Sequence, residues 1–168
     1  PILSKAQFEA VAADIYRRLL QRNPNAEEVL VNLIAIGIAR KDAANLKEYC
    51  ERLQRLRPKA RPVLEGYATL ALAAGDWETA ARHCTELTEA EPEMMEAWFN
   101  LGLAHYRLGR LDAAARAFQR AAEVRPDHKT VHLCLATVLD EKGDWDLARR
   151  SYERAIQANP DLPGPLWS

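Results

Sequence analysis

Five prolines, Pro24, Pro58, Pro92, Pro126 and Pro160, stand 34 residues apart at every step. Five of the nine prolines fall on this one lattice, which chance would rarely produce, and its period is that of a helix–turn–helix repeat. A second lattice has the same period: Gly75, Gly109 and Gly143, with Trp77, Leu111 and Trp145 two residues after each glycine. Each proline stops a helix, because it has no N–H to donate and biases the preceding residue away from helix. Each glycine can take the left-handed conformation that ends the earlier helix of a pair. Asp76 and Asp144 follow as N-caps for the next helix. The repeating unit is therefore helix, tight turn, helix, proline stop.

With units starting at Glu27, Arg61, Met95 and Lys129, the first helices are predicted over 27–39, 61–74, 95–108 and 129–142. The second helices are predicted over 43–56, 77–90, 111–124 and 145–158. Residues 4–22 fit a second helix with no partner before it, with Phe8, Ala12, Ile15, Tyr16 and Leu19 on one stripe at helical spacing. The whole chain, 1–168, then reads as one repeat domain. It has a half unit over 1–26, four repeats over 27–60, 61–94, 95–128 and 129–162, and a start of a further helix or tail at 163–168. Alanine, leucine, arginine and glutamate are abundant and favour helix, while valine and threonine are too sparse for a large sheet. The fold class is all-α.

The third unit carries Trp98, Leu101, Gly102, Ala114, Phe118, Ala121 and Pro126. In type and spacing these resemble the pattern of the tetratricopeptide repeat (TPR) family, with only His105 standing where a tyrosine is usual. The fourth unit keeps Leu135, Ala136, Ala148, Tyr152, Ala155 and Pro160, but has His132 in the tryptophan place. The second keeps Ala80 and Pro92, with Cys84 in the aromatic place. The first is the most degenerate, with Gly37, Leu46 and Cys50 off-pattern. The resemblance implies a right-handed superhelix of helical hairpins, with the first helices lining a concave groove. Ala68, Gly102 and Ala136 on the first helices, and Ala80, Ala114 and Ala148 on the second, let paired helices approach closely. Phe118 and Tyr152 fill the seams. No unit buries its apolar face alone, so stability comes from stacking.

Charge excludes one class of partner. Lysine and arginine number 23 and aspartate and glutamate 24, without the basic excess that nucleic acid demands. The longest apolar run, Val29 to Ala39, is about half of the roughly 20 residues needed to span a bilayer. The three cysteines, Cys50, Cys84 and Cys134, include no CxxC pair. Reduced, buried thiols are the simplest reading, which leans toward a cytosolic setting. The chain begins at Pro1 without an initiator methionine, as expected of a piece of something longer. No nucleophile elbow, phosphate loop, dinucleotide loop or HExxH motif is present, so no catalytic residue, cofactor or metal is implied. His128, His132 and Cys134 resemble a metal corner. The simpler reading places His128 at a helix start and His132 in a core column. Arg52, Arg55, Arg57, Lys59 and Arg61 form a basic stretch. With no aromatic residues between them, they read as a solvated loop near a helix C-terminus.

In the resembled family, ligands lie in the groove. On this register the groove-facing residues include Val31, Asn32, Ala35, Ile38, Glu65, Thr69 and Leu72. They continue with Phe99, Asn100, Leu103, Tyr106, Arg107, Leu133, Thr137 and Asp140. One branch of the family grips chaperone carboxylate tails with lysine and asparagine columns. Here those columns hold Val31, Glu65, Phe99 and Leu133, then Ala35, Thr69, Leu103 and Thr137, so that ligand is disfavoured. The expected hot spot is Phe99, Leu103 and Tyr106, flanked by Leu72 and Leu133 and bordered by Asn100, Arg107 and Thr137. The leading functional reading is a non-catalytic scaffold that docks a peptide or helical segment of a partner. The alternatives are a regulatory or substrate-presenting region of a larger enzyme or of a secretion or assembly component, and a homo-oligomerisation module joined through uncapped ends. The register makes one direct prediction. Gly102→Leu overpacks its hairpin and lowers stability by about 1–3 kcal/mol; an unchanged melting temperature would contradict it.

Overall fold

The second helices end two residues before a lattice proline, and the backbone of the residue between shows why. In the computed structural model, which describes residues 2–158, Asn23, Arg57, Glu91 and Arg125 each precede such a proline. Their φ angles are −132, −141, −133 and −129, all outside the helical range. The proline ring forces that geometry on its predecessor, and the N–H of each closes the last turn on the carbonyl four residues back. The helices in order are α1 (Lys5–Arg22), α2 (Glu27–Arg40), α3 (Ala43–Leu56), α4 (Arg61–Ala74) and α5 (Trp77–Ala90). They continue with α6 (Met95–Arg107), α7 (Leu111–Val124), α8 (Lys129–Lys142) and α9 (Trp145–Ala158). Regular structure among the described residues is helical throughout. The helix bounds agree with the sequence expectation to within a residue.

The turns inside the hairpins use the glycine lattice. Gly75, Gly109 and Gly143 have φ of 72, 71 and 82, the left-handed region. The matching place in the first hairpin holds Lys41 at φ 53, among the described residues the one non-glycine with positive φ. A side chain in that conformation costs about 1–2 kcal/mol. Asp42 caps α3, its carboxylate accepting from the Asn45 backbone N–H (3.5 Å) and side chain (2.7 Å). Asp76 caps α5 by accepting from the Thr79 N–H at 3.1 Å. Asp144 stands just before α9 and pairs with Lys142 Nζ at 3.1 Å. Arg110 holds the equivalent place before α7 without a side-chain cap. Its guanidinium instead grips the Glu78 carboxylate on α5.

The chain packs as two compact units, Pro1–Gly75 and Asp76–Ser168. In the first, Leu30, Leu33 and Ile34 of α2 meet Leu46, Tyr49, Cys50 and Leu53 of α3 and Val63 of α4. Close fit here runs through small residues. A Cβ on Gly66 would stand 2.2 Å from the Cys50 Sγ, and one on Gly37 would press on Leu46 at 3.3 Å. Leu46 holds the place that alanine takes in the other hairpins, and Gly37 on the facing helix makes room for it. The degenerate first repeat thus keeps its fit by exchanging which helix carries the small residue. In the second unit Phe118 is 1% exposed and packs with Ala114, Leu135, Val138 and Ala148. A Cβ on Gly102 would lie 2.7 Å from its ring.

Ser4 starts α1 with a capping box, its hydroxyl accepting from the Gln7 N–H at 3.2 Å while the Gln7 side chain accepts from the Ser4 N–H at 2.8 Å. The buried face of α1 is Ala13 and Leu20. Of the expected stripe, Ala12 and Tyr16 are half-buried, whereas Phe8, Ile15 and Leu19 are exposed together with Val11. The expectation for residues 163–168, with Leu166 and Trp167, lies outside the described residues.

Candidate functional site

The α6 sequence places Phe99, Leu103 and Tyr106 at steps of four and three, on one line of the helix. All three are half-buried and pack by their inner edges on the core that contains Ala114, Phe118 and Leu135. The Phe99 and Phe118 rings lie 5.6 Å apart and tilted by 56°, within the centroid range of interacting aromatic pairs. Leu133 on α8 is half-buried and Thr137 exposed one turn later. The Thr137 hydroxyl is turned back onto the Leu133 carbonyl at 3.0 Å. Asn100 is half-buried beside Phe99. Leu72, the remaining expected residue, is half-buried on α4 in the first unit.

Two contacts on this strip were not visible in the sequence. The Tyr106 hydroxyl donates to Glu141 Oε1 at 2.6 Å, tying α6 to α8. That hydrogen bond, then desolvation and the nearby carboxylate charge, raise the phenol pKa above its usual value. The Arg107 guanidinium lies 5.3 Å over the Trp77 ring of α5, a cation–π contact. Glu141 sits 35 residues after Tyr106, one repeat plus one position. A search for polar partners at that offset on adjacent first helices would have found it.

Elsewhere the chemistry is structural. Burial pushes the Cys50 and Cys84 thiols up to about 12 and raises Cys134 as well, so neither thiolate nucleophile nor metal ligand is favoured. Among the described residues no group of three or more His, Cys, Asp or Glu converges to hold a metal. His128 is the N-cap residue of α8. His132 is 2% exposed, and its Nε2 donates to the Pro126 carbonyl at 2.6 Å. Trp98, one repeat earlier, donates from Nε1 to the Pro92 carbonyl at 2.8 Å. The histidine in the tryptophan place therefore keeps the same bond to the inter-repeat loop. Much of the basic stretch is engaged locally. Arg52 donates to the Pro24 carbonyl at 2.9 Å, Arg57 pairs with Glu27 at 3.5 Å, and Arg61 pairs with Glu65. Among the described residues no helix is long and apolar enough to cross a membrane.

A family model described as tetratricopeptide repeat matches residues 68–128 and 106–163. Together these span 68–163, more than half of the 168-residue chain. No curated protein matches significantly. Solved structures do. MamA MSR-1 C2 is 22% identical with a TM-score of 0.76, over 93% of this chain and 90% of that one. MamA 41-end from Desulfovibrio magneticus RS-1 is 17% identical with a TM-score of 0.74, over 97% and 100%. YrrB, described as a TPR protein with an unusual peptide-binding site, is 18% identical with a TM-score of 0.75, over 91% and 79%. At these identities the likeness is one of fold.

The Tyr106–Glu141 bond makes a pH prediction. A phenol pKa raised by folding contributes stability that is present below the unfolded value of about 10 and lost as the pH rises through the folded one. Glu141→Gln removes the carboxylate and moves the Tyr106 pKa downward. Titration of isotope-labelled tyrosine by NMR reads the shift; an unmoved Tyr106 would contradict the assignment.

Proposed function

This chain belongs to the tetratricopeptide repeat family of interaction scaffolds, and we propose that it docks a peptide or helical segment of a partner protein along α6 and α8. The observation that carries this reading is the half-burial of Phe99, Leu103 and Tyr106 in one line. Their inner edges are held by the core, so their outer edges are presented with little freedom left to lose. Anchors immobilised before binding give more of their contact energy to affinity. Leu133 and Thr137 continue the surface on the next first helix, and Asn100 and Arg107 border it. The proposed role is binding without catalysis. The ligand that fits is an apolar or amphipathic segment with some negative charge, which Arg107 answers while Glu141 stays occupied with Tyr106. Affinity then comes from shape and burial and varies only weakly with salt.

A partner captured on the wild-type chain and purified is titrated against Phe99→Ala, Tyr106→Ala and the exposed control Arg116→Ala. Each aromatic truncation is expected to cost about 2 kcal/mol or more of binding, and the control almost nothing. Thermal melts establish that each variant folds. Loss of stability with unchanged affinity would show that these rings serve the core alone.

A further inference from the structure

Among the positions at which the third and fourth repeats differ, one large ring of the third is replaced by a smaller one in the fourth, beside a cleft. In the third, the Trp98 indole packs on the cluster of Met95, Ala121, Ala122 and Val131 and is covered by the Arg120 guanidinium at 5.6 Å from its ring. In the fourth, His132 stands at the Trp98 position and Arg154 at the Arg120 position, each 34 residues on. The imidazole keeps the hydrogen bond to the loop carbonyl but has one ring where the indole has two. Beside it lies a cleft of about 840 Å³ between α7 and α9, with His132, Leu135 and Leu139 of α8 along its floor. That volume is within the usual range of about 300–1,000 Å³ for binding sites. The His132 Nδ1 is buried and has no hydrogen-bond partner among the described residues.

The charges around the cleft are unbalanced. On the α7 side, Glu123 pairs with Arg120, and Asp127 in the following loop is 3.6 Å from Arg125. On α9, Arg150 and Arg154 are exposed, and neither has an ion-pair partner among the described residues. The lip therefore offers two unanswered cations over an apolar floor.

We propose that this cleft takes an aromatic side chain from an acidic segment of a partner protein. The ring seats on Leu135 and Leu139 beneath Arg154, as Trp98 sits beneath Arg120 one repeat earlier, and flanking carboxylates meet Arg150 and Arg154. The preceding repeat supplies the template for the occupant: a flat apolar ring under a guanidinium. The site is separate from the first-helix strip. His132, Leu135 and Leu139 lie on the opposite side of α8 from Leu133 and Thr137, at helical angles that differ by roughly half a turn. Its test does not rest on the reading of that strip.

The probe is the blocked pentapeptide Ac-DEWDE-NH2, titrated into the full chain with methyl-labelled leucine and followed by NMR. Saturable shifts are expected at the Leu135, Leu139 and Leu147 methyls. His132→Trp rebuilds the indole of the preceding repeat and is expected to weaken binding by at least about tenfold. Arg154→Ala is expected to weaken it by about threefold, and so is higher salt. The control Ac-DEADE-NH2 lacks the ring and is expected to bind at least about tenfold more weakly. If His132→Trp fails to melt cooperatively, Arg154→Glu on the exposed side of α9 decides instead by the same loss. Absence of saturable shifts at these methyls overturns the proposal, as does equal binding by the refilled variant or by both peptides. Signals of Trp167 that move on His132→Trp, with no peptide binding to the wild type, assign the cleft to this chain's own tail and overturn it too.

Discussion

The second unit depends on the contact between the Phe118 ring and the bare backbone of Gly102. The ring stands 2.7 Å from where a Cβ would be, so any side chain at position 102 would push α6 away from α7. With the glycine in place, Phe118 is nearly excluded from water and gives Phe99 a surface to tilt against at 5.6 Å. Interiors packed this densely transmit small displacements to their neighbours. The position of α6, and of the side chains on its outer face, follows from a residue with no side chain at all. The first unit uses the same device with other partners, Gly66 against Cys50 and Gly37 against Leu46.

Much of this was legible in advance because a 34-residue lattice of prolines and glycines acts through the backbone. Proline dictates the conformation of the residue before it wherever it stands, so the ends of α3, α5 and α7 needed no tertiary information. Side-chain complementarity is different, since it depends on pairs. Leu46 and Cys50 looked off-pattern singly. Their compensation by Gly37 and Gly66 is visible only when facing helices are brought together. Lys41 shows the limit of the lattice from the other side: the turn forms in the left-handed conformation although the glycine that would ease it is missing.

The strip on α6 was readable from its spacing, because three- and four-residue steps put side chains on one line in any helix. The anchoring of that strip was not. Tyr106–Glu141 and Arg107–Trp77 join different helices, and helix periodicity carries no information across them. Likewise His132 was placed in a core column from sequence, but its bond to Pro126 and the cleft beside it arise from comparing two repeats in space. Divergence within the repeat array has structural consequences on both sides of α8. One side carries apolar anchors held by the core. The other has a gap where the repeat pattern supplies a ring.

The helices seat where a small residue on one admits a specific side chain of the next. A double-mutant cycle on Gly66 and Cys50, read by chemical denaturation, tests it most directly. Gly66→Ala alone drives a methyl into the Cys50 Sγ and is expected to cost about 1–3 kcal/mol. Cys50→Ala removes that sulfur, and in its background Gly66→Ala is expected to cost at least about 1 kcal/mol less, a coupling typical of residues in contact. Strict additivity of the two substitutions would contradict the account.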